Sequence, residues 1–159
     1  MVFKTANLCD QYADQLQVAE PGLRDFGGVT VFGGPIVTLK VFEDSTVLRT
    51  ILETPGAGRV LVVDGGGSIR CALLDRPLAE LAAQHGWAGV VINGCVRHVI
   101  ALAGVAVGIK AVAVHPLKSF KHGGGEQGVP LRFAGVHFLP GHYLYADEDG
   151  LVVAEKVLG

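Results

Sequence analysis

The chain is short of charge, of cysteine and of long apolar runs, and each shortage removes a class of function. Lys plus Arg number 13 against 15 Asp plus Glu in 159 residues, for a formal net charge of −2. A near-neutral chain carries no electrostatic footprint for a phosphate backbone, so direct nucleic-acid binding is not expected. Cysteines number only three, Cys9, Cys71 and Cys95. Their count is odd and their spacing is not that of a metal site, so they read as reduced, buried thiols of a cytoplasmic protein. No apolar run approaches the ~20 residues that span a bilayer. The N-terminus lacks a basic segment followed by an apolar block, so neither a membrane span nor a signal peptide is expected. No internal repeat or low-complexity segment is visible.

What the chain does have is apolar content and glycine. Half of the residues are hydrophobic and 18% are charged, the balance of a globular domain rather than a disordered one. A length of 159 residues suits one domain, spanning 1–159, with a core that needs no staples. The 23 glycines are well above the usual ~7% and come in clusters, as expected of tight turns between short strands. Apolar content this high in a small domain also points to a buried subunit interface.

Taken in order, residues 5–16 have a helical stripe of Leu8, Tyr12 and Leu16, with Thr5 or Asn7 as cap. Residues 29–32 and 36–42 read as two strands around a Gly33-Gly34-Pro35 turn. A helix starting at Asp44 or Ser45 carries Val47, Leu48, Ile51 and Leu52 and ends at Pro55-Gly56. Residues 60–63 are unbroken apolar, as in a strand buried on both faces, and 69–74 read as another strand. Asp75-Arg76-Pro77 is a helix start, an Asp cap with proline in the first turn. Leu78, Leu81 and Ala82 form its stripe and Gly86 ends it. Residues 90–92 and 109–114 are strands, and 97–102 a short helix. The basic, glycine-rich, aperiodic segment 115–128 reads as a mobile surface loop. Residues 131–139 alternate as one strand, and Asp147 to Gly150 form a hairpin turn between 142–146 and 151–153. Helical and strand patterns interleave while the ends are strand-rich, which implies a mixed, layered α/β domain.

The organising stretch is 59–98: strand, glycine loop, helix, strand, and a loop ending in a fixed cation. Asp64-Gly65-Gly66-Gly67-Ser68 is either a backbone cradle for an anion or a tight turn after a strand. It matches neither the P-loop pattern nor the spaced glycines of a dinucleotide fold. Arg97 is either a clamp for a carboxylate or developing enolate, or one half of a structural ion pair. His98 is either a metal ligand or a hydrogen-bonded structural residue. The amides at 75–78 could bind an anion, or belong to an ordinary capped helix. His115, Lys118, Lys121 and His122 form a basic loop, either simply solvated or acting as a lid.

Several of these segments, with others along the chain, resemble one known family. They are Leu8-Cys9-Asp10, Val18-Ala19-Glu20-Pro21, Phe26-Gly27-Gly28, Phe32-Gly33-Gly34, Lys40-Val41-Phe42-Glu43-Asp44, the run from Arg59 through Asp64-Gly65-Gly66-Gly67-Ser68, Gly94-Cys95-Val96-Arg97 and Tyr145-Ala146-Asp147. Together they resemble the RraA-like family, which includes the regulator of ribonuclease E activity A and the class II 4-hydroxy-4-methyl-2-oxoglutarate aldolases. The resemblance implies a layered β/β/α swivelling-type fold with mixed sheets, in a ring-shaped homotrimer that stacks into hexamers in some members. It implies a 2-oxo acid substrate held by Asp75, Arg76, Pro77 and Leu78, and a catalytic Arg97 that also binds substrate and stabilises a pyruvate enolate. It implies a divalent cation, Mg or Mn, at position 98, and it extends to oxaloacetate decarboxylation through the same enolate. The alternative it implies is a non-catalytic trimer that binds and inhibits ribonuclease E. Two residues depart from the aldolase pattern: His98 and Arg76 each stand where the aldolases have Asp.

Overall fold

The computed structural model describes residues 2–159. Helix α1 (Thr5–Tyr12) leads through a single 3-10 turn into β1 (Leu16–Val18) and β2 (Arg24–Asp25). Strand β3 (Phe32–Lys40), α2 (Thr46–Leu52), β4 (Val60–Asp64), β5 (Ala72–Leu74), α3 (Arg76–Gln84) and β6 (Gly89–Val96) build the centre. Then follow α4 (Val99–Leu102), β7 (Gly108–Val114), β8 (Glu126–Gln127), β9 (Leu131–Phe133), β10 (Val136–Phe138), β11 (Tyr143–Asp147) and β12 (Gly150–Ala154).

Strand β3 joins two sheets. Phe32 to Pro35 pair antiparallel with β11, whereas Ile36 to Lys40 pair parallel with β4. The Gly33-Gly34-Pro35 segment is therefore the middle of a strand, not the turn its composition suggested. Gly34 is required there because a Cβ would meet the Gly58 carbonyl oxygen at 2.2 Å. On one side lies the antiparallel order β1-β12-β11-β3, and on the other the parallel run β3-β4-β6-β7.

Alternation along the parallel strands divides the core into layers. Leu61, Val63, Val90 and Ile92 face α2 and α3, packing with Leu48, Leu52, Leu78 and Ala82. Val60, Val62 and Val91 face the other way, onto Leu144, Leu151, Phe133 and Phe138. The outer face of β11 and β12 is covered by Leu8 of α1 and by Leu158. Helices, parallel sheet and antiparallel layer are the β/β/α arrangement expected. The unbroken valine runs follow from burial on both faces.

Several expected boundaries shift: the strand expected over 29–32 begins only at Phe32, and the helix expected over 97–102 begins at Val99. The first helix stops at Tyr12 because Leu16 is taken into β1, paired with Ala154. Its N-terminus is held by neither Thr5 nor Asn7 as a cap. Instead Asp147 accepts the Thr5 N–H at 2.7 Å and its hydroxyl at 2.6 Å, from 142 residues away. Segment 131–139 is a hairpin rather than one strand. Ala134 and Gly135 both adopt left-handed backbones (φ 51° and 72°) between β9 and β10, the twist that a two-residue hairpin needs. The strand expected over 69–74 shrinks to Ala72–Leu74.

Burial pushes the Asp147 carboxyl upward, but the bonds from Thr5, Asp149 and Gly150 outweigh it and hold it below the usual range. Asp147→Ala should cost about 2–3 kcal/mol, since it removes charge-assisted bonds from a buried site. Denaturant unfolding would show the loss, and hydrogen exchange would locate it in α1.

Candidate functional site

Register decides the site. Strands β5 and β6 run parallel with Leu74 opposite Val96. The next residues of each, Asp75 and Arg97, therefore leave the sheet side by side at its carboxyl edge, the usual place for ligand clefts in parallel sheets. The Arg97 amide donates to the Leu74 carbonyl at 3.0 Å and completes the pairing. The Arg97 Nη2 then donates to Asp75 Oδ2 at 3.2 Å, and Nη1 donates to the Pro116 carbonyl at 3.3 Å. Side chains of the pair are 24% and 21% exposed, so the bond is wet enough to orient more than to stabilise. These two bonds use two of the five N–H donors of a guanidinium.

Arg97 opens onto a cleft of about 360 Å³. Its walls are Asp75, Pro77 and Leu78 from the start of α3, Thr46, Arg49 and Thr50 from α2, and Lys118, Ser119 and Lys121 from the loop after β7. Four cations and one carboxylate line it, but Arg49 is paired with Glu53 at 3.3 Å and Arg97 with Asp75, so the net positive charge comes from Lys118 and Lys121 and the cleft suits an anion. Of the residues expected at the site, Asp75, Pro77, Leu78 and Arg97 come together here. Arg76 instead points along its own helix to Glu80, at 2.8 Å.

The amides of the helix start are spent. Asp75 Oδ1 accepts the Leu78 N–H at 3.3 Å and His98 Nδ1 accepts the Arg76 N–H at 3.2 Å, while Pro77 has none to give. An anion in this cleft is bound by side chains rather than by those amides.

The glycine loop is not part of the cleft. Gly65 and Gly67 donate to the Asn93 carbonyl, each at 3.1 Å, and Gly66 donates to Asp64 Oδ1 at 2.9 Å. Ser68 Oγ and Arg70 Nε donate to Glu43 Oε2 at 2.6 and 2.7 Å, and Arg70 Nη2 donates to Oε1 at 2.9 Å. The loop is a latch between β4, β6 and Glu43, and its amides are not free to cradle a ligand. The bonds from Arg70 and Ser68 hold the Glu43 carboxyl below its usual range.

The donors at position 98 do not fit a hard divalent ion: His98 offers no carboxylate oxygen, its Nδ1 accepts the Arg76 amide, and Arg76 puts a cation beside it. Among the described residues no group of three or more His, Cys, Asp or Glu side chains is placed to hold one. The neighbour of His98 is Arg76, already paired with Glu80.

Asp44 is the site residue that sequence reasoning missed. It is buried, accepts the Thr46 N–H at 2.9 Å through Oδ1, and accepts the His122 and Gly124 N–H groups at 2.9 and 3.1 Å through Oδ2. The Ser45 amide also donates to the Phe120 carbonyl, and the Phe120 amide to the Glu43 carbonyl. The basic loop is thus exposed but tied to the head of α2, and this tether sets Lys118 and Lys121 on the cleft. The sequence signal was present as a helix-start Asp; its second oxygen had no readable partner.

Comparison with known proteins follows this geometry. The family described as RraA-like, Aldolase/RraA, matches residues 5–153. The chain belongs to the RraA-like family. A protein of Alkalilimnicola ehrlichii, provisionally named 4-hydroxy-4-methyl-2-oxoglutarate aldolase, is 55% identical over 99% of this chain and 98% of its own. One of Laribacter hongkongensis with the same provisional name is 53% identical over 99% of both. The solved RNA-processing inhibitor RraA of Thermus thermophilis has a TM-score of 0.95 at 46% identity, over 100% of this chain and 96% of that one. A Geobacillus kaustophilus structure described as an S-adenosylmethionine:2-dimethylmenaquinone methyltransferase has a TM-score of 0.96 at 49% identity, over 98% and 97%.

Burial raises the Asp44 pKa, yet the bonds from Thr46, Gly124 and His122 together hold it at about 2, against 3.8 for a free Asp. A depressed carboxyl contributes its stability above the unfolded value and loses it as pH falls through the folded one. The tether should therefore stay whole down to about pH 4 and release towards pH 2. Asp44→Ala should release it at neutral pH, seen as fast hydrogen exchange at the His122 and Gly124 amides.

Proposed function

We propose that the protein is a 2-oxo acid lyase of the 4-hydroxy-4-methyl-2-oxoglutarate aldolase type, with oxaloacetate as a second substrate. The carrying observation is the cationic cleft with Arg97 at its edge, where a guanidinium with unspent donors shares the walls with Lys118 and Lys121. The names of the relatives support the same reading.

Both reactions pass through one kind of charge. The C3–C4 bond breaks, releasing pyruvate from the hydroxylated substrate as its C4 hydroxyl gives up a proton, or CO2 from oxaloacetate. The electron pair moves onto the C2 carbonyl oxygen as a pyruvate enolate, which then takes up a proton at C3. Arg97 is suited to hold that oxygen, because donors placed in advance at developing charge are the main source of rate in such steps. Lys118 and Lys121 supply the field that holds the substrate carboxylates. Position 98 has no carboxylate to retain the hard cation that the family resemblance implies, so on this reading stabilisation of charge falls to these side chains.

A second reading has its own support. The aldolase pattern places Asp where this chain has Arg76 and His98, and the Thermus thermophilis neighbour is described as an inhibitor of RNA processing. On that reading the protein is a non-catalytic trimer that docks on ribonuclease E.

Pyruvate release from oxaloacetate and from 4-hydroxy-4-methyl-2-oxoglutarate, followed with chelator, Mg and Mn in turn, separates the two. The lyase reading expects release above the blank of free ion, and a fall of about 10²–10³-fold in Arg97→Ala. A wild-type rate no higher than the blank, with the protein binding ribonuclease E, gives the regulator.

A further inference from the structure

Position 98 is the place where the family resemblance puts a metal ligand, and the geometry there serves another purpose. The His98 backbone is left-handed (φ 61°), a conformation uncommon outside glycine, directly after Arg97. That turn brings Nδ1 to within 3.2 Å of the Arg76 amide, which donates to it. One residue earlier, Arg97 Nη2 donates to Asp75 Oδ2 at the same distance of 3.2 Å. Two consecutive residues leaving β6 thus hold two consecutive residues entering α3.

The first turn of α3 has few donors to satisfy. Pro77 has no N–H, so only Arg76 and Leu78 need an acceptor. Asp75 has two oxygens, and Oδ1 already serves Leu78 at 3.3 Å. Because His98 takes the Arg76 amide, Oδ2 remains for the guanidinium.

We propose that His98 is a positioning residue for Arg97: its Nδ1 caps the first amide of α3, which fixes Asp75, and Asp75 fixes the guanidinium. Nε2 has no part in this, and position 98 is not a metal ligand in this chain. The effect on activity rests on the lyase reading, whereas the clamp itself does not.

Isosteric substitution separates the two ring nitrogens. In Asn the Oδ1 atom sits where Nδ1 does, and Asn tolerates the left-handed backbone. In Gln the Oε1 atom sits where Nε2 does. His98→Gly removes the acceptor while relaxing the backbone. Full-length wild type, His98→Asn, His98→Gln and His98→Gly are compared by hydrogen exchange at the Arg76 amide and by calorimetric titration with oxalate, a dianionic mimic of the pyruvate enolate.

Wild type and His98→Asn should protect the amide and bind oxalate alike. His98→Gln and His98→Gly should each exchange faster and bind oxalate about five- to tenfold more weakly, the size of one lost hydrogen bond. The proposal is overturned if His98→Gln behaves as wild type while His98→Asn does not, which would assign the role to Nε2. It is overturned equally if His98→Gly keeps both protection and affinity. If wild type itself binds no oxalate while the order of protection holds, the lyase reading falls and the clamp stands.

Discussion

The parallel pairing of β5 with β6 is the constraint from which the cleft follows. A parallel ladder delivers two chain segments to the same edge of a sheet, pointing the same way. With Leu74 opposite Val96, the next two residues of each strand meet as pairs, Asp75 with Arg97 and Arg76 with His98. Slipping the register by one residue would turn every side chain of β5 to the opposite face. That slip is opposed by packing, since Ala72, Leu73 and Leu74 are all enclosed and a leucine would be forced into the space shaped for Ala72. Apolar packing several ångströms below the surface therefore sets where the charges stand.

Much of this was legible because it is local or periodic. The valine runs at 60–63 and 90–92 announce strands buried on both faces, and Asp75-Arg76-Pro77 announces a helix start. The separation of Asp75 from Arg97 is that of one helix crossover, so their meeting could be read from chain order alone. What was not legible depends on a distant partner. Leu16 has helical spacing, yet pairing with Ala154 takes it into the sheet. Residues 131–139 alternate straight through a two-residue turn, because alternation alone does not distinguish one long strand from two short ones.

The glycine loop shows the same limit in its sharpest form. A cradle and a turn have the same composition, and they differ in whether the amides are spent. Here that is decided by the carbonyl of Asn93, nearly thirty residues away, and by the carboxylate of Asp64. Conversely, segment 115–128 has the composition of a mobile loop, and one carboxylate, that of Asp44, converts it into a wall of the cleft. A cluster of glycines thus gave the site nothing, while a single aspartate supplied two of its lysines.

The tether and the cleft are coupled through the loop they share. A near-neutral protein has little long-range field with which to draw in an anion. Attraction has to be built locally, by gathering Arg97, Lys118 and Lys121 on the walls of one cleft. Two of those cations sit on a loop that depends on an ionised Asp44. Carboxylic acids ordinarily titrate near ~3.5–4, and Asp44 is held at about 2. A carboxylate ligand of ordinary acidity therefore gains its proton while the tether is still whole, whereas a 2-oxo acid carboxylate, made more acidic by the carbonyl beside it, stays charged down into the range where the tether itself releases. Had the bonds from Thr46, Gly124 and His122 been fewer, burial would have raised Asp44 and freed the loop at a higher pH, its lysines still charged but no longer set on the cleft.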